Sequence, residues 1–117
     1  MTLSSKSRYA LEIMTDLARH RDRLVSVSAI ANRRNISEKY AEQIMSILKR
    51  AGFVASERGV RGGYRLTLPP DNYRVGDILR LMDGMPKVES NGAVRKLEQA
   101  VASVVDGFTV ADLMEEK

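Results

Sequence analysis

The sequence predicts a mostly helical chain with one small β wing, an α+β class in which helices dominate. Three observations predict it. Residues 38–51 repeat apolar side chains at helical spacing, behind Ser37 and ahead of Gly52. Residues 53–57 and 64–68 read as two short strands around the loop RGVRGG. Further helical patterns lie on both sides of this unit. Helix, short turn, helix, then wing is the order of a winged helix-turn-helix.

Ala10, Ile13, Met14, Leu17 and Ala18 follow the i, i+3, i+4, i+7, i+8 pattern, so residues 5–18 form the first helix. Ser5 or Ser7 supplies its cap. Lys6, Arg8 and Tyr9 fall in the first turn. Either Tyr9 packs and the cations are solvated, or all three meet phosphates at the positive end of the helix. His20, the single histidine, sits in RHRDR and is assigned no role. Ser26 or Ser28 starts a short helix running to Arg34, with Ala29, Ile30 and Ala31 inward and Arg33 and Arg34 toward solvent, phosphate contact being the alternative for the two arginines. Asn35 suits the turn that follows, and Ile36 anchors the entry to the next helix.

On helix 38–51, Ala41, Ile44, Leu48 and Ala51 make the apolar face, flanked by Tyr40 and Ile47. Lys39, Glu42, Gln43, Ser46 and Arg50 make the polar one. Ser37 is the N-cap. Gly52 is the left-handed stop, with apolar Phe53 after it. In the wing, Tyr64, Leu66 and Leu68 alternate with Arg65 and Thr67. Gly59, Gly62 and Gly63 free the loop backbone, Arg58 and Arg61 charge it, and Pro69 and Pro70 end the second strand.

Val75, Ile78, Leu79 and Met82 predict a helix over 73–83 closed by Gly84, although Gly76 is unfavourable near its start. Residues 84–92 are a polar loop. Val94, Leu97, Val101, Val104 and Phe108 form a narrow a/d seam on a helix over 93–108. The expected cover is a partner subunit, since two-fold dimers are the commonest oligomers. Packing on its own domain is the alternative. Thr109 and Asp112 predict a capping box for a short closing helix. The chain thus divides into residues 1–84, a reading domain, and 85–117, a linker, a dimerisation helix and a closing helix.

Charge separates the same two parts. Residues 1–70 hold 13 Lys and Arg against 6 Asp and Glu, whereas residues 71–117 hold 6 against 9. Only the first part is suited to a polyanion. No apolar run approaches membrane-spanning length, and the N-terminus lacks the apolar stretch of a signal peptide, so a cytoplasmic protein is expected. There is no cysteine, hence no disulfide, thiolate ligand or cysteine nucleophile. No nucleophile stands beside a base in any motif, so an enzyme is not expected. Aromatic residues are 5%, too few for a single-strand stacking platform.

A helix face of mixed donors and acceptors beside a cationic glycine loop suits duplex DNA. The helix fits the major groove, where Gln43 and Glu42 meet base edges, Glu42 accepting from a cytosine amine. Lys39 serves base or phosphate. Arg58 and Arg61 hold phosphates or reach the minor groove. The competing reading is a winged-helix protein-interaction module without specific DNA binding.

The stretch ISEKYAEQIMSILKRAGFV followed by RGVRGGYRL resembles the Rrf2 family of bacterial winged helix-turn-helix transcription regulators, as do LSSKSRYALEIMTDLA, VGDILRLMDG and FTVADL. The family includes the iron–sulfur cluster regulator and relatives that sense nitric oxide or cysteine supply. The resemblance implies a homodimeric repressor on a pseudo-palindromic operator, joined through the long C-terminal helix, with the start of the first helix on the DNA backbone. The implied DNA-binding set is Lys6, Tyr9, Ser37, Lys39, Tyr40, Glu42, Gln43, Arg58, Gly59, Arg61, Gly62 and Gly63. Cluster-binding members carry cysteines in a loop matching 88–93 here, where this sequence has none, so no thiolate-ligated iron–sulfur cluster is expected. Asp77, Asp83 and Glu89 are the scattered carboxylates a hard cation would need; solvation is their ordinary fate.

Overall fold

The computed structural model describes residues 3–115. Helices α1 (Ser5–Arg19), α2 (Val27–Arg34) and α3 (Glu38–Arg50) are followed by strands β1 (Val54–Glu57) and β2 (Gly63–Leu66), then α4 (Val75–Asp83), α5 (Gly92–Asp106) and α6 (Val110–Leu113). A 3-10 turn at Pro70–Asn72 precedes α4, which therefore starts two residues later than its apolar pattern predicts.

Serine caps set the helix starts. The cap of α1 is Ser4, whose hydroxyl accepts from the Ser7 amide at 3.0 Å, rather than the expected Ser5 or Ser7. Ser7 is instead buried, and its hydroxyl donates to Asp83 at the end of α4. Ser26 caps α2. Asn35 ends α2 in the left-handed region at φ 56°, which the turn before α3 needs.

The core joins α1, α3, α4 and the base of the wing around Ile13, Met14, Ile44, Met45, Leu48 and Ile78. Met45 belongs to the buried face of α3, whereas Ala51 is exposed as the C-cap residue. β1 and β2 pair antiparallel from Val54↔Leu66 to Glu57↔Gly63. β2 stops at Leu66, so Leu68 leaves the expected alternation and is exposed. The Tyr73 hydroxyl closes that end of the wing: it accepts from the Thr67 and Leu68 amides at 3.0 and 2.8 Å and donates to the Phe53 carbonyl at 2.9 Å.

Arg33 is exposed, as expected, and Arg34 is half-buried, but both are engaged by carboxylates of α1. Arg33 holds the buried Asp16 carboxylate of α1 through Nε and Nη2, and Arg34 approaches Glu12 at 3.8 Å. These pairs tie α2 to α1.

Helix α5 begins one residue earlier than predicted and ends at Asp106, with Gly107 as its C-cap. None of its residues is buried. Its foot is anchored by Arg80 of α4, which donates to both Asp106 carboxylate oxygens at 2.8 and 2.9 Å and to the Pro86 carbonyl at 2.9 Å. The chain then returns. Val75 and Val110 amides bond to Phe108 and Tyr73 carbonyls, and the fully buried Val110 puts α6 in the core against α1. The closing helix thus packs with residues 3–84, across the sequence-based division at 84.

Candidate nucleic-acid interface

The polar face of α3 is presented by its caps. The Ser37 hydroxyl accepts from the Tyr40 amide at 3.0 Å, which sets the first turn. At the other end the Gly52 amide donates to Lys49 and the Phe53 amide to Leu48, both at 2.9 Å, with Gly52 at φ 82°. This paired closure lets the chain turn directly into β1. With Ala41, Ile44, Met45 and Leu48 buried, Lys39, Glu42, Gln43, Ser46 and Arg50 face outward.

The structure brings several expected residues together. Lys6, Lys39, Tyr40, Glu42 and Gln43 line one open groove of about 810 Å³, joined by Ser46, Arg50, Val27 and Tyr64. Ser46 and Arg50 belong to the predicted polar face but not to the expected site, and Tyr64 and Val27 enter it only through tertiary packing. Tyr9 packs edge-on against Tyr40, with ring centroids 5.8 Å apart. Arg8 lies over the Tyr9 ring at 4.6 Å and pairs with Glu12, so its charge is engaged.

The wing tip is a separate cationic piece. Arg58, Gly59 and Arg61 are exposed, and Gly59 has φ 114°. Gly62 and Gly63 have internal reasons to be glycine: a Cβ at 62 would collide with the Glu57 carbonyl, and one at 63 would stand 2.5 Å from the Val25 carbonyl oxygen.

Arg33, Arg34, Arg65, Arg74 and Arg80 all have carboxylate partners. Among the described residues, Lys6, Lys39 and Arg50 beside α3, and Arg58 and Arg61 on the wing, form no ion pair. Unpaired cations around a projecting polar helix leave the field that a polyanion requires.

The fold and this surface define a winged helix-turn-helix DNA-binding protein. Residues 3–116 match the family model Rrf2, described as an iron-dependent transcriptional regulator, and the chain belongs to that family. It is 42% identical over 123 residues to the HTH-type transcriptional regulator CymR of Bacillus subtilis, covering 97% of this chain and 89% of CymR. It is 36% identical over 130 residues to the HTH-type transcriptional regulator IscR of Aliivibrio salmonicida, covering 97% and 77%. The solved structure of CymR, the global cysteine regulator of B. subtilis, superposes with a TM-score of 0.86 at 35% identity over 100% of this chain and 98% of that one. IscR of T. potens gives 0.85 at 36% over 99% and 88%. The chain is a DNA-binding transcription regulator, and its relatives are regulators rather than enzymes.

The iron in the family's description does not fit the donors present. The sequence has no cysteine, and among the described residues no three His, Asp or Glu side chains converge. Asp77 pairs with Arg74 at 3.1 Å, and Asp83 accepts from Ser4 and Ser7. No helix among the described residues is long and apolar enough to cross a membrane.

Proposed function

We propose that the chain is a homodimeric, sequence-specific repressor that reads the major groove with α3 and works in the cytoplasm without a thiolate-ligated cluster. The observation that carries this reading is the surface of α3: Lys6, Lys39 and Arg50, none of them in an ion pair among the described residues, line one groove with Gln43 and Glu42, and the exposed Arg58 and Arg61 stand on the wing tip. In this reading Gln43 and Glu42 meet base edges, Lys39 serves base or phosphate, and Lys6 and Tyr9 face the backbone. Arg58 and Arg61, on the exposed 58–63 loop, meet phosphates or the adjoining minor groove.

The dimer reading is supported by the uncovered seam. Val94, Leu97, Val104 and Phe108 are 56%, 65%, 61% and 50% exposed, and Val101 is half-buried. A second copy covering this stripe gives a two-fold pair with recognition helices about 34 Å apart, matched to successive major grooves of a pseudo-palindrome.

Gln43→Ala tests the base contact. It is expected to cost about 1–3 kcal/mol on the operator and little on random duplex, whereas Arg61→Ala weakens both and flattens the salt dependence. Equal losses for Gln43→Ala on operator and random duplex would remove the base contact. Absence of any duplex binding by the wild type would favour a protein-interaction role.

A further inference from the structure

We propose that the groove between the α1–α2 loop and the wing holds a backbone phosphate of the bound duplex, with Arg23 and Arg61 as its cations. The proposal rests on the DNA-binding reading and adds a contact from the RHRDR loop, to which sequence patterns assign nothing.

One close backbone approach creates the groove. The Val25 amide donates to the Tyr64 carbonyl at 2.9 Å, and the Tyr64 amide donates back at 2.8 Å. Val25 is thereby a one-residue third strand beside β2. The approach depends on Gly63, whose Cβ would stand 2.6 Å from the Val25 carbonyl carbon. With Val25 pinned, Arg23 and Arg61 line one groove of about 380 Å³ together with Ser26, Gly62 and Arg33.

The charge of this groove is unbalanced. Arg33 is committed to Asp16 at 2.9 Å. Arg23 and Arg61 are exposed, and among the described residues neither forms an ion pair. No carboxylate lines the groove. Two guanidinium groups sharing a groove repel each other, and a phosphodiester between them relieves that repulsion with charge-assisted hydrogen bonds. The groove also adjoins the α3 surface. Val25, which lines this groove, is hydrogen-bonded to Tyr64, which lines the α3 groove, and Ser26 of this groove is followed directly by Val27 of the other. A phosphate held here lies on the duplex that α3 reads. Phosphate contacts of this kind fix register and carry no base information.

Fluorescence anisotropy on wild type, Arg23→Gln and Arg23→Lys tests the site, using the full operator, an operator trimmed by a few flanking base pairs and a random duplex across a salt series. Arg23→Gln is expected to weaken operator and random duplex by the same factor and to lower the salt slope by about 0.9, the contribution of roughly one phosphate. Arg23→Lys keeps most of the slope. Trimming weakens the wild type and leaves Arg23→Gln unchanged. Unchanged affinity and slope in Arg23→Gln overturn the proposal, as does a loss confined to the operator. Arg23-dependent competition by millimolar inorganic phosphate, with no dependence on duplex length, would identify a free-anion site and overturn the duplex assignment. If the wild type binds no duplex, the DNA-binding reading itself fails, and that is visible before any variant is measured.

Discussion

Gly76 shows how a residue unfavourable for its own helix is explained only by a distant partner. A Cβ at this position would fall on the Asp106 carboxylate and come 2.9 Å from Arg80 Nη1. The obstructed atoms are side-chain ends, so alanine displaces the Arg80–Asp106 pair rather than the backbone. Losing hydrogen bonds between charged groups costs about 1.5–3 kcal/mol. Against that, glycine to alanine inside a helix gains about 1 kcal/mol. Gly76→Ala should therefore lower stability by about 1 kcal/mol in urea unfolding. In an Asp106→Ala background the same change should raise it. A destabilisation of equal size in both backgrounds would show that the glycine serves something other than this pair. From sequence, Gly76 reads only as an unfavourable residue, because Asp106 lies 30 positions away. The α1 cap was equally unreadable in detail: Ser4, Ser5 and Ser7 are all competent caps, and tertiary packing with Asp83 decides among them.

Elements with local signals were legible. Ser37, the apolar spacing and Gly52 fix α3 within a few residues of chain, and the Thr109–Asp112 capping box of α6 forms with both reciprocal bonds. The Val25 bridge to Tyr64 was not legible, since a single paired residue has no period. The junction of α4 with α1 and α5 was also hidden, and it makes stability depend on acid. Hydrogen bonds from Ser4 and Ser7 hold the Asp83 carboxyl below the usual carboxylate range, and the Arg80 guanidinium does the same for Asp106. A carboxylate with a lowered folded pKa contributes stability that is complete above its unfolded value, about 3.9 for aspartate. That contribution is lost as pH falls through the lower folded value. The urea midpoint should therefore drop below about pH 4, and Asp83→Asn together with Asp106→Asn should flatten this part of the profile. An acid-limb slope unchanged by both substitutions would refute the assignment.

The molecule as a whole is extended, 55 × 26 × 25 Å with a radius of gyration of 15.0 Å. A compact chain of this length would have about 13 Å. The projecting part is α5, and its exposed valines and leucine lie where the a/d spacing places them, so the seam was legible and its partner was not. Single-chain packing does not cover it, which weighs against the alternative that the helix packs on its own domain. Leu97→Glu with Val104→Glu should shift sedimentation to the monomer, remove the dependence of Tm on protein concentration that a dimer confers, and lower operator affinity at least tenfold. A doubly substituted chain that stays dimeric would place the interface elsewhere. The proposed dimer recognises a specific duplex rather than offering a basic surface. The most direct test is fluorescence anisotropy of the wild-type protein on DNA from its own gene's upstream region and on random duplex, across a salt series. Much tighter binding to the upstream duplex is expected, with the difference persisting as salt rises. Equal affinities that fall together with salt would contradict it.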